Sequence, residues 1–290
     1  MPTAVCDGIE TRYEVTGSGE PLLMFSPGGF NATIENWSEF GIYRRLRLLR
    51  RLSEHYMCIA FDKRESGESG GRVERITWDG YAAQGAGLLD HLGIERAALL
   101  GGCVGCSIVV AFATSRPERV SRLVLYSPAG GPRYRLKQRA RFDQHLSFVA
   151  EEGLVGAVAL ARSGDDSFSQ DPRVGPWASV IRTDAEFADE YARWDAERYR
   201  AIVADMAATL FDRDTVAGAE AEQLLQLGLP ALVVPGDDEN HAVSAARYLH
   251  ECLSGSEYWD VPPDAQGEEN APPRILQFLS SDSPRSSAAI

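Results

Sequence analysis

The sequence predicts an α/β fold built on a mostly parallel sheet. Short apolar runs at residues 21–26, 56–61, 97–102 and 120–126 read as buried strands, and segments with helical spacing separate them. This alternation resumes with an apolar run at residues 230–235. Repeated strand–helix alternation is typical of parallel sheets with crossover helices, and 290 residues are enough for one large domain of this kind.

Composition limits the classes of function. The apolar fraction of 44% and the charged fraction of 24% are ordinary for a globular protein, and the net charge of −13 argues against nucleic acid or an anionic membrane as partner. Five scattered cysteines form no evident disulfide framework and favour a reducing compartment. The sequence shows neither a signal peptide at its start nor an apolar run of membrane-spanning length, so we expect a cytoplasmic protein.

The central stretch is residues 97–113, an apolar run that turns at Gly102-Cys103-Val104-Gly105 into a small-residue helix. This pattern is typical of a nucleophile elbow, in which the reactive residue sits between a strand and a helix. Small neighbours are needed because the turn strains the backbone of the nucleophile and brings the two elements close together. The residue at the nucleophile position is cysteine.

Two other interpretations of this stretch stay open. Cys103 and Cys106 form a Cys-x-x-Cys pair at a helix start, which is typical of redox-active thiols. Alternatively, both cysteines are small apolar residues in a tightly packed helix.

The remaining elements follow from local patterns. Residues 3–6 and 11–16 predict a hairpin with Asp7-Gly8 at its turn. Further predicted elements are a basic helix at 38–54, helices at 77–92, 242–253 and 273–280, and a last strand at 257–261. The polar end, 280–290, is expected to fray.

Residues 132–215 break the alternation and read as several helices rich in aromatic residues. Ordinary helix packing explains this pattern, but so does a helical cap whose apolar underside covers a pocket. We therefore divide the chain into a core of residues 1–131 and 216–290 and an inserted cap of residues 132–215.

With these motifs in place, the chain resembles the α/β-hydrolase superfamily. The resemblance rests on the elbow, the Gly28-Gly29 loop, the Asp62-x-Arg64 loop and the Val-Val-Pro-Gly-Asp-Asp loop at residues 233–238. It implies a mostly parallel eight-stranded sheet with helices on both faces and an inserted helical cap. The motifs say little about substrate, because this fold hosts many chemistries.

The resemblance also implies site residues. One oxyanion donor would be the backbone N–H of Val104, and the other would come from Gly29 or Phe30. The acidic residue would be Asp238 or Glu239, in the loop after the late strand.

The chain departs from the family at the histidine. Family members carry it after the last strand, but residues 261–272 contain none, and Gln266 is the nearest substitute by position. Of the five histidines, only His241 belongs to a loop at the carboxyl edge of the sheet. We therefore predict a catalytic set of Cys103, His241 and Asp238.

This set favours acyl transfer: hydrolysis of an ester, lactone or thioester of a small organic molecule through a thioacyl intermediate. The alternative is a non-hydrolytic protein, either a lyase or a small-ligand receptor, that keeps the pocket without a standard triad. We expect no cofactor and no metal, a small-molecule substrate as partner, and no nucleic acid or membrane; a homodimer is compatible with the sequence.

Overall fold

Eight strands form a single sheet in the computed structural model, which describes residues 1–281. In chain order the strands are β1 (Thr3–Cys6), β2 (Ile9–Thr16), β3 (Pro21–Phe25), β4 (Met57–Phe61), β5 (Ala97–Gly102), β6 (Val120–Tyr126), β7 (Ala231–Val234) and β8 (Ser256–Tyr258). Across the sheet they lie in the order β1-β2-β4-β3-β5-β6-β7-β8. Only the β1–β2 and β2–β4 pairs are antiparallel. The predicted mostly parallel, eight-stranded sheet is confirmed.

Strand order determines where the loops meet. β5 lies between β3 and β6, and β7 follows β6, all in parallel register. The carboxyl ends of these strands therefore share one edge, where ligand sites of open α/β sheets form. The Gly28-Gly29 loop, the elbow and the loop after β7 all leave from this edge.

Twelve helices connect and cover the strands of the described chain. They are α1 (Asn36–Glu39), α2 (Gly41–Leu46), α3 (Leu48–Leu52), α4 (Trp78–His91), α5 (Gly105–Ser115), α6 (Pro132–Arg162), α7 (Ala178–Thr183), α8 (Ala185–Ala192), α9 (Ala196–Leu210), α10 (Ala221–Gln226), α11 (Val243–Cys252) and α12 (Ala271–Ser280).

The helices lie on both faces of the sheet because successive side chains of a strand point to opposite faces, and in the central strands they are apolar on both. Leu22 and Met24 of β3 are buried in a cluster with residues of α1, α2, α3 and α12. Leu23 and Phe25 point the other way, into a cluster that includes α4, α5 and α11. Each such fully buried side chain contributes roughly 1.5–3 kcal/mol of burial free energy.

Two sequence predictions need correction. The basic helix predicted at 38–54 is three short helices, because the backbone turns to positive φ at Gly41 (49°) and Arg47 (50°). The last strand is β8, one residue earlier and two residues shorter than predicted. The predicted hairpin is present, with Asp7 and Gly8 at positive φ in its turn.

Four helices, α6 to α9, fill the chain between β6 and α10. Three of them, α6, α8 and α9, share a buried hydrogen-bonded set in which His145 Nε2 lies 2.6 Å from the Tyr199 hydroxyl, which lies 2.5 Å from the Tyr191 hydroxyl. Burial lowers the pKa of His145 to about 4, so this imidazole is neutral near pH 7. The segment is thus a folded unit with its own polar anchor; that it closes over substrate stays a prediction.

Within residues 1–281, no helix combines the length and the apolar character needed to cross a membrane. The predicted fraying of the polar end concerns residues that are almost all outside the described range.

Candidate active site

Cys103 occupies the turn between β5 and α5 with φ of 55°, a conformation that non-glycine residues rarely adopt. Its N–H donates to the Tyr126 carbonyl at 3.1 Å, and its own carbonyl accepts from the Ala129 N–H at 3.2 Å. These two hydrogen bonds tie the elbow to the end of β6 and hold the strained residue in place.

The glycines around the elbow are required because a side chain at these positions would collide with neighbouring atoms. A Cβ on Gly101 would lie 2.6 Å from the Gly105 backbone, and one on Gly102 would lie 2.8 Å from the Tyr43 hydroxyl. A Cβ on Gly105 would overlap the Phe25 carbonyl of β3. The close approach of helix and sheet therefore requires the glycines that identified the elbow in the sequence.

His241 reaches the same place from the loop after β7. The Gly130 N–H donates to the Asn240 carbonyl at 3.0 Å, and the Ala242 N–H donates back to the Gly130 carbonyl at 3.3 Å. Gly236 leaves room for the His241 side chain, since a Cβ there would overlap that of His241. The loop is thus paired with the loop after β6, directly beside the elbow.

Asp238 binds the Nδ1 side of the His241 imidazole. His241 Nδ1 lies 2.8 and 2.9 Å from the two carboxylate oxygens, and Oδ1 also accepts from the N–H groups of Asn240 and His241. The side-chain hydrogen bond with His241 is the largest influence that lowers the pKa of Asp238, to about 2. Glu239, the alternative acid, instead lies 3.8 Å from the Lys137 ammonium. The structure therefore pairs His241 with Asp238.

The other imidazole nitrogen faces Cys103. His241 Nε2 is buried and makes no hydrogen bond of regular geometry, yet the sulfur is close enough for the two groups to change each other's pKa. Burial alone would raise the pKa of Cys103, but the nearby charge of His241, together with the neighbouring N–H groups, outweighs burial and lowers the pKa below 9.0. Burial alone would lower the pKa of His241, but the thiolate charge and Asp238 raise it. This environment favours a thiolate–imidazolium pair.

Backbone donors surround the sulfur. The N–H groups of Val104 and Gly28 lie near it and help to lower its pKa. Val104 is one of the two predicted oxyanion donors; Gly28, which has φ of 124°, directly precedes the predicted alternatives Gly29 and Phe30. Gly29 lines the cavity above Cys103, whereas the Phe30 ring packs edge-on against Phe142 and Phe168.

Two residues considered from the sequence lie elsewhere. Gln266 is buried, accepts a hydrogen bond from the Tyr126 hydroxyl and donates to the Val261 carbonyl at 2.7 Å, so it supports the end of the sheet instead of replacing the histidine. Cys106 donates to the Gly101 carbonyl at 3.1 Å, and burial raises the pKa of its thiol. Its geometry is that of a packing residue.

A cavity of about 310 Å³ opens over the Cys103–His241 pair. Its remaining wall comes largely from α6, where Tyr134, Gln138 and Arg141 line it. The Arg141 guanidinium donates to Gln138 Oε1 at 2.9 Å and to the Ser169 carbonyl at 3.0 Å. A larger surface cleft, about 510 Å³, lies on the outer side of Asp238 and does not include the cysteine.

The sequence analysis missed these wall residues. Positions 134, 138 and 141 have spacings of four and three, which place them on one face of a helix. That spacing was readable, but only the fold shows that this face is turned towards Cys103.

Comparisons with known proteins agree with the architecture. A family model described as alpha/beta hydrolase fold matches residues 21–155. The 2-hydroxymuconate semialdehyde hydrolase of Pseudomonas sp. (strain CF600) is 33% identical over 130 residues, which cover 43% of this chain and 42% of that protein. The chain spans less than half the length of this relative and of four other curated relatives that it matches.

Two further relatives cover most of the chain. The uncharacterized hydrolase YugF of Bacillus subtilis (strain 168) is 26% identical over 262 residues, 86% of this chain and 85% of that protein. The crystal structure of the enol-lactonase from Burkholderia xenovorans LB400 is 22% identical, covers 97% of this chain and 100% of that one, and superimposes with a TM-score of 0.61.

The sheet order, the strained residue at the elbow and the family match all point to one assignment. The chain has the α/β-hydrolase fold, and its residues 21–155 match the family model of that fold.

Proposed function

We propose that this protein hydrolyses an ester, lactone or thioester of a small organic molecule, with Cys103 as nucleophile. The observation that carries the proposal is the alignment of Cys103, His241 and Asp238, in which one imidazole nitrogen faces the sulfur and the other is held by a carboxylate. This is the arrangement of nucleophile, base and orienting acid that nucleophilic catalysis requires.

In the first step, the Cys103 thiolate attacks the carbonyl carbon, and the C=O electron pair moves onto oxygen. The N–H groups that surround the sulfur, above all that of Val104, are placed to stabilise this oxyanion. When the tetrahedral intermediate collapses, the bond to the leaving oxygen or sulfur breaks and His241 gives that atom its proton. The products of this step are the released alcohol or thiol and an acyl thioester on Cys103.

In the second step, His241, now neutral, takes a proton from water while the water oxygen attacks the thioester carbon. Collapse of the second intermediate breaks the C–S bond, releases the carboxylic acid and restores the thiolate–imidazolium pair. Asp238 holds the imidazole with Nδ1 protonated through both steps, because its two oxygens accept from that nitrogen.

Three features support this class of reaction. A thiolate is a strong nucleophile at neutral pH, and alcohol or thiol leaving groups demand less from the acid than an amine does. The cavity of about 310 Å³ suits a small molecule. The relatives include an enol-lactonase and a 2-hydroxymuconate semialdehyde hydrolase. The alternative of a receptor or lyase was motivated by a missing histidine, and the pairing of His241 with Asp238 supports His241 in that role.

Burst kinetics with 4-nitrophenyl acetate test the proposal. We expect a rapid release of about one nitrophenol per protein molecule, followed by slower turnover limited by thioester hydrolysis. Cys103→Ala should abolish both phases, and Cys106→Ala is the matched control that should keep the burst. Turnover that survives in Cys103→Ala, or binding of esters without any release of product, would contradict the proposed mechanism.

A further inference from the structure

A second, much smaller cavity adjoins the catalytic one, on the side of Val104 and Gly29. We call it the inner compartment; its polar wall is formed by Lys63, Trp78 and Tyr81, and its volume is about 10 Å³. It shares Gly29 and two residues of α6 with the catalytic cavity, so the two spaces are adjacent. A space of this size admits about one small atom group.

Three side chains in the inner compartment can donate more hydrogen bonds than they make. Lys63, Tyr81 and Trp78 are only 4%, 3% and 9% exposed. Among the described residues, the Tyr81 hydroxyl and Trp78 Nε1 have no hydrogen-bond partner, and the Lys63 ammonium makes one hydrogen bond, to the Arg64 carbonyl at 3.3 Å. Buried donors without acceptors cost free energy, so three of them around one cavity need an explanation.

Lys63 is an unusual residue to bury here. The chain has only two lysines among its 29 basic residues, and the other, Lys137, is exposed. The Lys63 ammonium lies 4.1 Å from the centre of the Tyr81 ring and 5.3 Å from that of Phe30, and no carboxylate of the described residues lies within ion-pair distance of it. The nearest buried acid, Glu65, is bound by Arg64 at 2.9 Å.

The protonation of Lys63 depends on what lies beside it. Burial lowers its pKa to about 7, although the charge of Glu65 opposes this effect. An anion in the inner compartment would raise that pKa and keep the ammonium charged. The compartment therefore contains one ammonium group whose charge depends on its neighbours, two neutral donors without hydrogen-bond partners, and aromatic walls. This combination suits a small anionic group.

We propose that the inner compartment is a subsite for a carboxylate on the acyl part of the substrate, bound by Lys63, Tyr81 and Trp78. This inference rests on the proposed hydrolytic function. The chemistry decides which part of the substrate enters the inner compartment. The leaving group must lie near His241, and of the two cavities His241 lines only the catalytic one. The space on the Val104 side is thus left for the acyl group. Its volume, about that of one water, admits only the end of this group, where the three donors favour a carboxylate oxygen.

The test compares two 4-nitrophenyl esters, the hemiglutarate with a terminal carboxylate and the neutral butyrate. The wild type should have a kcat/KM about 10- to 100-fold higher for the hemiglutarate, as a charge-assisted hydrogen bond implies. Lys63→Met should lower this ratio to about one, and Tyr81→Phe, which keeps the ring and its packing, should lower it in part. Lys137→Met is the matched lysine control and should keep the wild-type ratio.

A binding measurement separates failure of this subsite from failure of the proposed function. Calorimetric titration with glutarate should show binding to the wild type and to Cys103→Ala, and a loss of about 10-fold or more in affinity in Lys63→Met and Tyr81→Phe. If no ester is hydrolysed but this pattern holds, the subsite stands and the hydrolytic function fails. Equal kcat/KM for the two esters in the wild type, or an unchanged glutarate affinity in both subsite variants, would overturn the subsite.

Discussion

Replacing His241 with alanine removes the largest of the influences that oppose burial at the Cys103 sulfur. In the wild type, the charge of the imidazole is the largest influence that lowers the pKa of Cys103. The variant keeps the burial and the two backbone donors. We therefore expect the pKa of the thiol to rise from below 9.0 to above it.

The magnitude follows from the titration. A thiol with a pKa of 9.0 or higher is ionised in at most about one molecule in a hundred at pH 7, so the loss of thiolate alone costs up to about 10²-fold in rate, the full factor applying to a wild-type thiol that is fully ionised. The variant also loses the acid that protonates the leaving group, so the total loss of turnover should be roughly 10²- to 10⁴-fold. Asp238 keeps its two backbone hydrogen bonds, so the melting temperature should change little.

Iodoacetamide alkylation against pH measures this shift directly. The midpoint for Cys103 should lie below pH 9 in the wild type and above pH 9 in His241→Ala, since thiolate is the reacting form. His55→Ala, which changes an exposed histidine far along the chain, is the matched control and should behave as the wild type. The same midpoint in wild type and His241→Ala, with equal turnover, would refute the coupling.

Four further outcomes are expected. Gly105→Ala should destabilise the protein by about 1–3 kcal/mol in urea unfolding, because its Cβ meets the β3 backbone, whereas Gly164→Ala, with open space around it, should not. Asp238→Asn should lower kcat roughly 10²- to 10⁴-fold through loss of the imidazole orientation, and a Glu239→Gln variant with the larger defect would reverse the assignment of the acid. Gln266→Leu should cost about 1–3 kcal/mol of stability by leaving the Tyr126 hydroxyl unpaired, while the alkylation midpoint stays the same. Limiting iodoacetamide should label the elbow thiol before the other four, whose pKa values are all raised by burial; preferential labelling of any of those would count against a thiolate nucleophile.

The sheet was predictable because its strands are apolar runs that end in glycine or polar loops. The elbow was predictable for a related reason: Gly101, Gly102 and Gly105 are each required by a close backbone or ring contact. Such local steric demands leave a direct trace in the sequence. The placement of His241 also followed from topology, because the loop after β7 leaves the same sheet edge as the elbow.

What escaped prediction depends on backbone turns or on contacts between distant segments. The break of the predicted helix 38–54 is set by positive φ at Gly41 and Arg47, and nothing in an arginine signals a left-handed turn. Gly28, with φ of 124°, influences the Cys103 pKa in place of the predicted Gly29 or Phe30, and the sequence does not reveal this backbone turn. The inner compartment joins Lys63, from the loop after β4, with one turn of α4, and neither sequence segment shows that these side chains meet.

The central claim is that the substrate's acyl group becomes bonded to the Cys103 sulfur during turnover. The most direct measurement is peptide mass spectrometry on protein quenched in acid within the burst phase of 4-nitrophenyl acetate hydrolysis, where the acyl thioester survives. The account predicts an acetyl group on the peptide that contains residue 103, at close to one per molecule, which disappears when the substrate is exhausted. Turnover with residue 103 unmodified at every quench time, or a stable acetyl group on any other residue in its place, would contradict it.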